Sequence, residues 1–134
     1  VSCSWVDAMA FDTEVSGHTL RLDGDESVGG EDSGPRPKPL LLSSLAGCTG
    51  MDVIYILRKM KIEPTYFNVR VDATLGEEHP KTYETIRLIY EFKASDGLDE
   101  NKVETAVGLS QEKYCGVSAM LKAASDLSYE IVYI

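Results

Sequence analysis

Two cysteines sit in segments suited to thiol chemistry. Cys48 lies in Leu45-Ala46-Gly47-Cys48-Thr49-Gly50-Met51-Asp52, and Cys115 lies in Lys113-Tyr114-Cys115-Gly116-Val117-Ser118. They are 67 positions apart in the chain, 48 to 115, so any pairing between them is tertiary. A reactive cysteine needs a thiolate and an approach path. Ala46, Gly47, Thr49 and Gly50 around the first, and Gly116, Ser118 and Ala119 around the second, leave room for a ligand or a partner's backbone. Cys115 falls near the start of an expected helix, where partial positive charge favours a thiolate. Asp52 cuts the other way: it stands one helical turn after Cys48, and a carboxylate that close raises a thiol pKa unless a cation neutralises it. The plain alternative is two inert core thiols, because a free cysteine packs as a small hydrophobe. Cys3 lies among polar residues near the start of the sequence and has no comparable context.

The other titratable residues offer less. His18 and His79 lie beside turns, with no second histidine or carboxylate at helical spacing to make a metal site. There is no Cys-x-x-Cys, so a structural zinc site is not expected. Gly29-Gly30 is a turn and not a phosphate loop, since no Lys-Ser/Thr follows. Arg36, twelve positions before Cys48 in a Pro-rich loop, can fold over to hold a thiolate or a substrate; a solvated loop arginine is the alternative. No cofactor is called for.

The elements that must position these residues can be read from periodicity. Two strands are expected over Cys3–Phe11 and His18–Asp23, joined by a turn at Ser16-Gly17. Residues 24–39 carry four glycines and three prolines and read as an ordered loop. A helix then runs from the Pro37/Pro39 region to about Lys61, with Asp52 its sole charge between Leu40 and Leu57. It is apolar on most of its circumference, and a second subunit is the simplest cover for such a helix in so small a chain. Tyr66–Leu75 and Thr85–Phe92 alternate cleanly and suit an antiparallel hairpin. Asp99 can cap a helix from Glu100 to about Gly108, and Ser110 another from Gln111 to about Ala124. A final strand covers Leu127–Ile134. The order β-β-α-β-β-α-α-β predicts one α+β domain spanning 1–134, with antiparallel pairing.

Composition sets outer limits. The 134 residues are 43% hydrophobic, enough to bury a core, and carry 13 Lys+Arg against 22 Asp+Glu for a net charge of −9. With no basic cluster, neither nucleic acid nor an anionic membrane is an expected partner. An odd count of three cysteines does not suggest a secreted disulfide framework. No basic region followed by an apolar run opens the sequence. The stretch Leu40–Leu57 is interrupted by Ser43, Ser44, Thr49 and Asp52, so a soluble helix is expected over a membrane span. A cytoplasmic setting follows as the expectation.

At the two cysteine segments the sequence resembles the OsmC/Ohr superfamily of thiol-dependent hydroperoxide reductases. The residues that carry the likeness are Pro37-x-x-Leu40-Leu41-Leu42, Ala46-Gly47-Cys48 with the apolar helix after it, and Tyr114-Cys115-Gly116-Val117-Ser118. The likeness is strongest to the YhfA-like branch, through Gly34-Pro35-Arg36-Pro37, Cys48-Thr49-x-Met51-Asp52-Val53 and Lys113-Tyr114-Cys115. The resemblance implies antiparallel sheets packed on long central helices in an intertwined homodimer, with sites near the subunit interface. It implies that Cys48 attacks an organic hydroperoxide, that Cys115 resolves the product as a disulfide, and that an external dithiol reduces it. The alternative on the same fold is a non-catalytic module binding a small hydrophobic or thiol-reactive ligand. In well-studied members an Arg of the first hairpin and a Glu after an Asn-Pro motif hold the reactive thiol. Here Lys38 stands at the Glu position and residues 1–20 contain no Arg, which leaves Arg36 or Lys38 as substitute cations.

Overall fold

A computed structural model describes all residues, 1–134, and divides into two compact units, Val1–Ser43 and Ser44–Ile134. In the first, β1 (Ser2–Asp7), β2 (Ala10–Val15) and β3 (His18–Leu22) form an antiparallel meander. The single strand expected over Cys3–Phe11 is thus two strands. The chain reverses at Ala8, whose φ is 46°, and Trp5 Nε1 donates to the Ala8 carbonyl at 2.9 Å to close the turn. Asp7-Ala8-Met9 contains neither Gly nor Pro, so the usual turn signal was missing. The second reversal falls at Ser16-Gly17 as expected, with φ of 52° and 80°.

The loop after β3 is ordered by one side chain. The Asp23 carboxylate accepts from the Ser33 hydroxyl at 2.6 Å, and from the N–H groups of Ser33, Gly24 and Glu31. These donors, the Ser33 hydroxyl foremost, hold Asp23 down at about 2. Gly34 passes so close to the Arg21 backbone that a Cβ would lie 2.3 Å from its carbonyl oxygen, so only glycine fits.

The second unit is built on α1 (Leu40–Lys59), which enters it from the loop, and a three-stranded sheet. β4 (Phe67–Leu75) pairs antiparallel with β5 (Tyr83–Phe92), in the hairpin the alternation predicted. β5 also pairs with β6 (Asp126–Tyr133), and that pairing is parallel, from Thr85 opposite Asp126 to Phe92 opposite Tyr133. This corrects the expectation of antiparallel sheets throughout. The reason is the crossover: α2 (Glu100–Leu109) and α3 (Gly116–Lys122) lie between β5 and β6 and carry the chain back to the end where β5 began. Asp99 caps α2 as expected, accepting from the Lys102 N–H at 3.3 Å.

The core lies on β5. Ile86, Leu88, Tyr90 and Phe92 are buried together with Leu45, Val53 and Leu57 of α1 and Val103, Ala106 and Val107 of α2. Only one stripe of α1 is fully buried: Leu45, Thr49, Val53 and Leu57, at a strict spacing of four. The fold is therefore α+β, with two small sheets and three helices, of which only α1 is long.

Candidate active site

The helix expected from Gln111 to Ala124 is interrupted, and the interruption shapes the site. Ser110–Tyr114 form a π-helical turn that continues α2, with the Cys115 N–H bonded to the Ser110 carbonyl at 2.8 Å. Cys115 then leaves the helical region (φ −75°, ψ 101°) and caps α3, its Sγ accepting from the Ser118 N–H at 3.3 Å. Cys115 is thus the cap of α3 and not a residue within a helix that starts at Gln111. The wide turn also directs Ser110 and Gln111 inward, where both are buried.

Opposite stands α1. Cys48 and Asp52 share a face one turn apart, and the two sulfurs and an Asp52 carboxylate oxygen all lie within 4.8 Å of one another. Cys48 is half-buried and Cys115 is buried. A Cβ added at Gly47 or Gly116 would meet nothing within 4 Å, so both thiols have open neighbours. Burial pushes the Cys48 thiol above its usual range, and its hydrogen bond with Cys115 and the Asp52 charge push the same way. The Val117 N–H pulls it down.

Behind the thiols runs a buried polar chain that the sequence did not announce. As a carboxylate Asp52 can only accept, so Ser110 Oγ donates to it at 3.0 Å. With that proton committed, Ser110 Oγ accepts from the Thr49 hydroxyl at 2.8 Å. Thr49 Oγ1 in turn accepts from the Tyr90 hydroxyl at 2.6 Å and from Gln111 Nε2 at 3.2 Å. Gln111 Nε2 also donates to Tyr90 at 2.6 Å. Every hydrogen in the chain therefore points toward Asp52. Burial pushes the Tyr90 phenol up to about 12, which keeps it a donor. Thr49 sat in an apolar stripe and Tyr90 in an alternating core strand, and only their polar atoms within apolar patterns hinted at this role.

Arg36 lies in the first unit. Its guanidinium pairs with Asp32 at 2.6 Å and donates to the Gly34 carbonyl at 3.1 Å, and Asp32 raises its already high pKa. Cys3 is exposed on β1.

Beside the thiols, Asp52, Tyr55, Ile56, Lys59, Leu109 and Tyr114 line a cleft of about 380 Å³. Along the other flank of α1, a groove of about 600 Å³ is lined by Ala46, Gly47, Gly50, Met51, Ile54 and Tyr55 with Phe67 and Val69 of β4.

Residues 30–130 match the model of the family described as OsmC-like protein. The chain is 34% identical over 131 residues to Protein YhfA of Escherichia coli K12, covering 96% of this chain and 94% of that one. It superimposes on the crystal structure of a hypothetical protein from Aquifex aeolicus VF5 with a TM-score of 0.81 and 31% identity, covering 99% and 95% of the two chains. The fold is shared with the organic hydroperoxide resistance protein OhrB of Bacillus subtilis, at a TM-score of 0.68 and 16% identity over 98% of this chain and 95% of that one.

Proposed function

The chain belongs to the OsmC-like protein family, and from that premise we propose that it is a thiol-dependent hydroperoxide reductase in which Cys48 attacks and Cys115 resolves. The observation that carries this reading is the approach of the two sulfurs to within 4.8 Å from positions 67 apart in the chain, 48 and 115. The division of labour follows exposure: Cys48 is the half-buried thiol an incoming peroxide can meet, and Cys115 waits buried behind it.

The steps balance as follows. Cys48 gives up its proton, and its thiolate attacks the terminal oxygen of a hydroperoxide. The O–O bond breaks, an alkoxide leaves and takes a proton to become the alcohol, and Cys48 becomes a sulfenic acid. The Cys115 thiolate then attacks the Cys48 sulfur, forming the disulfide and releasing the sulfenic oxygen as water. An external dithiol returns the pair to its reduced form by two exchange steps. The Val117 and Ser118 N–H groups supply the positive ends of peptide dipoles to the two sulfurs. The cleft that Asp52 and Lys59 border offers Ile56, Leu109 and the rings of Tyr55 and Tyr114 to the organic part of the peroxide.

A homodimer completes the proposal. α1 meets the length and composition of a membrane-crossing helix, yet only 22% of its most apolar stretch is buried within the chain. Leu41, Met51 and Tyr55 are exposed on it. A second copy of the chain is the occupant we assign to that surface.

One observation favours a second reading. Burial, Cys115 and Asp52 all disfavour the Cys48 thiolate, which suits a module that holds a small hydrophobic or thiol-reactive ligand without turnover. The assay that separates them is dithiol-dependent consumption of an organic hydroperoxide. Turnover is expected for the natural chain and abolished in Cys48→Ser. Equal rates for the two would sink the peroxidase reading, and a stoichiometric adduct on Cys48 without turnover would establish the second.

A further inference from the structure

We propose that the reduced protein binds one zinc ion between Cys48 Sγ, Cys115 Sγ and the Asp52 carboxylate. Two of its donors, Cys48 and Asp52, come from one turn of α1, and the third comes from the cap of α3, far away in the sequence. The three donor atoms converge within 4.8 Å. Two sulfurs bound tetrahedrally to one zinc at about 2.3 Å stand about 3.8 Å apart, so closure asks for shifts of about 1 Å. Cys48 and Asp52, at i and i+4 on one helix, already present their donors on the same side.

The donor set selects the metal class. Two thiolates with one carboxylate suit zinc over magnesium or calcium, which take oxygen ligands. Each of the three groups is an anion when ionised, so a divalent cation at their centre is met by negative donors on three sides. Asp52 is also oriented from behind, as a metal-binding carboxylate must be: Ser110 Oγ holds one oxygen at 3.0 Å, and Ser110 is itself held by Thr49. Cys115 is fixed by the Ser118 N–H. Asp52 borders the 380 Å³ cleft as well, so the fourth position of a tetrahedral ion can be reached by water or by a ligand.

The site needs the reduced thiols and no peroxide, so it stands or falls apart from the peroxidase reading. The experiment is titration of the reduced, metal-free full chain with Co²⁺, followed by displacement with Zn²⁺ and competition against a chromogenic chelator. One equivalent per chain is expected, with a thiolate-to-cobalt charge-transfer band that Zn²⁺ abolishes. Cys48→Ser and Cys115→Ser are each expected to remove one thiolate contribution and to weaken Zn²⁺ binding more than tenfold. Ser110→Ala, which only orients Asp52, is expected to keep the band and to weaken binding by about tenfold. Absence of the charge-transfer band in the natural chain would overturn the site. So would Zn²⁺ affinity unchanged in both serine variants, which would place the ion on the acidic surface.

Discussion

Asp52 joins the thiols to the hydroxyl chain behind them. It lies one turn from Cys48 and is the acceptor at which that chain ends; burial and Cys115 do most to oppose ionisation of the Cys48 thiol, and the Asp52 charge adds to them. The sign is direct. A raised thiol pKa means a smaller thiolate fraction at neutral pH, and reactivity that grows as pH rises toward and past the usual thiol value. Asp52→Asn removes the charge and keeps the shape. Alkylation of Cys48 by iodoacetamide at pH 7 is then expected to accelerate about fivefold, the factor that ~1 kcal/mol of charge repulsion represents. Peptide mapping of the labelled protein gives the rate for each cysteine, and an unchanged Cys48 rate would mean that burial alone sets its reactivity.

At the scale of elements, the break between α2 and α3 does the positioning. A continuous helix from Gln111 would bond the Cys115 N–H four residues back and leave no capping role for Cys115. The π-helical turn instead buries Ser110 and Gln111 against α1 and β5, and releases Cys115 to cap α3. Tyr90 of β5 ties the three elements together through Thr49 and Gln111. Tyr90→Phe keeps the ring and deletes the hydroxyl, leaving buried amide and hydroxyl groups short of a partner. The expected loss is about 1–3 kcal/mol in urea unfolding with an unchanged slope. A loss within a few tenths would show that water replaces the phenol in the network.

For the whole molecule the question is how the exposed side of α1 is covered. In the proposed homodimer a second copy is the apolar neighbour of this long helix, whose most apolar stretch is little buried by its own chain. Met51 is 77% exposed on that side and touches the groove that runs to β4. A charge placed at an exposed position costs the isolated chain little. The same charge enclosed in a two-fold seam costs on the order of a few kcal/mol per copy. Light scattering is expected to give twice the 14.7 kDa chain mass for the natural protein and a shift toward the single-chain mass for Met51→Glu. An unchanged mass in the variant would move the seam away from this face.

Much of this architecture was readable from residue order, and the failures have local causes. The hairpin β4–β5 showed itself because alternation with a period of two has few competing readings. The cap at Asp99 and the apolar helix around Cys48 were equally plain. The turn at Ala8 was missed because it uses none of the residues that favour turns. The parallel pairing of β6 was missed because strand direction depends on the path of the intervening helices, which periodicity does not encode.

The sequence by itself determined the residue types of the site, their placement on a helix and at the start of another, and the family. Motif and helical spacing are local quantities, so they survive being read along a line. Only the tertiary structure decided that Cys115 meets the Cys48 and Asp52 pair, and that Thr49, Tyr90, Ser110 and Gln111 form an oriented chain behind them. Contacts across 21 to 67 positions depend on how α1, β5 and the broken helix pack, and packing belongs to the whole fold and to no single stretch of it.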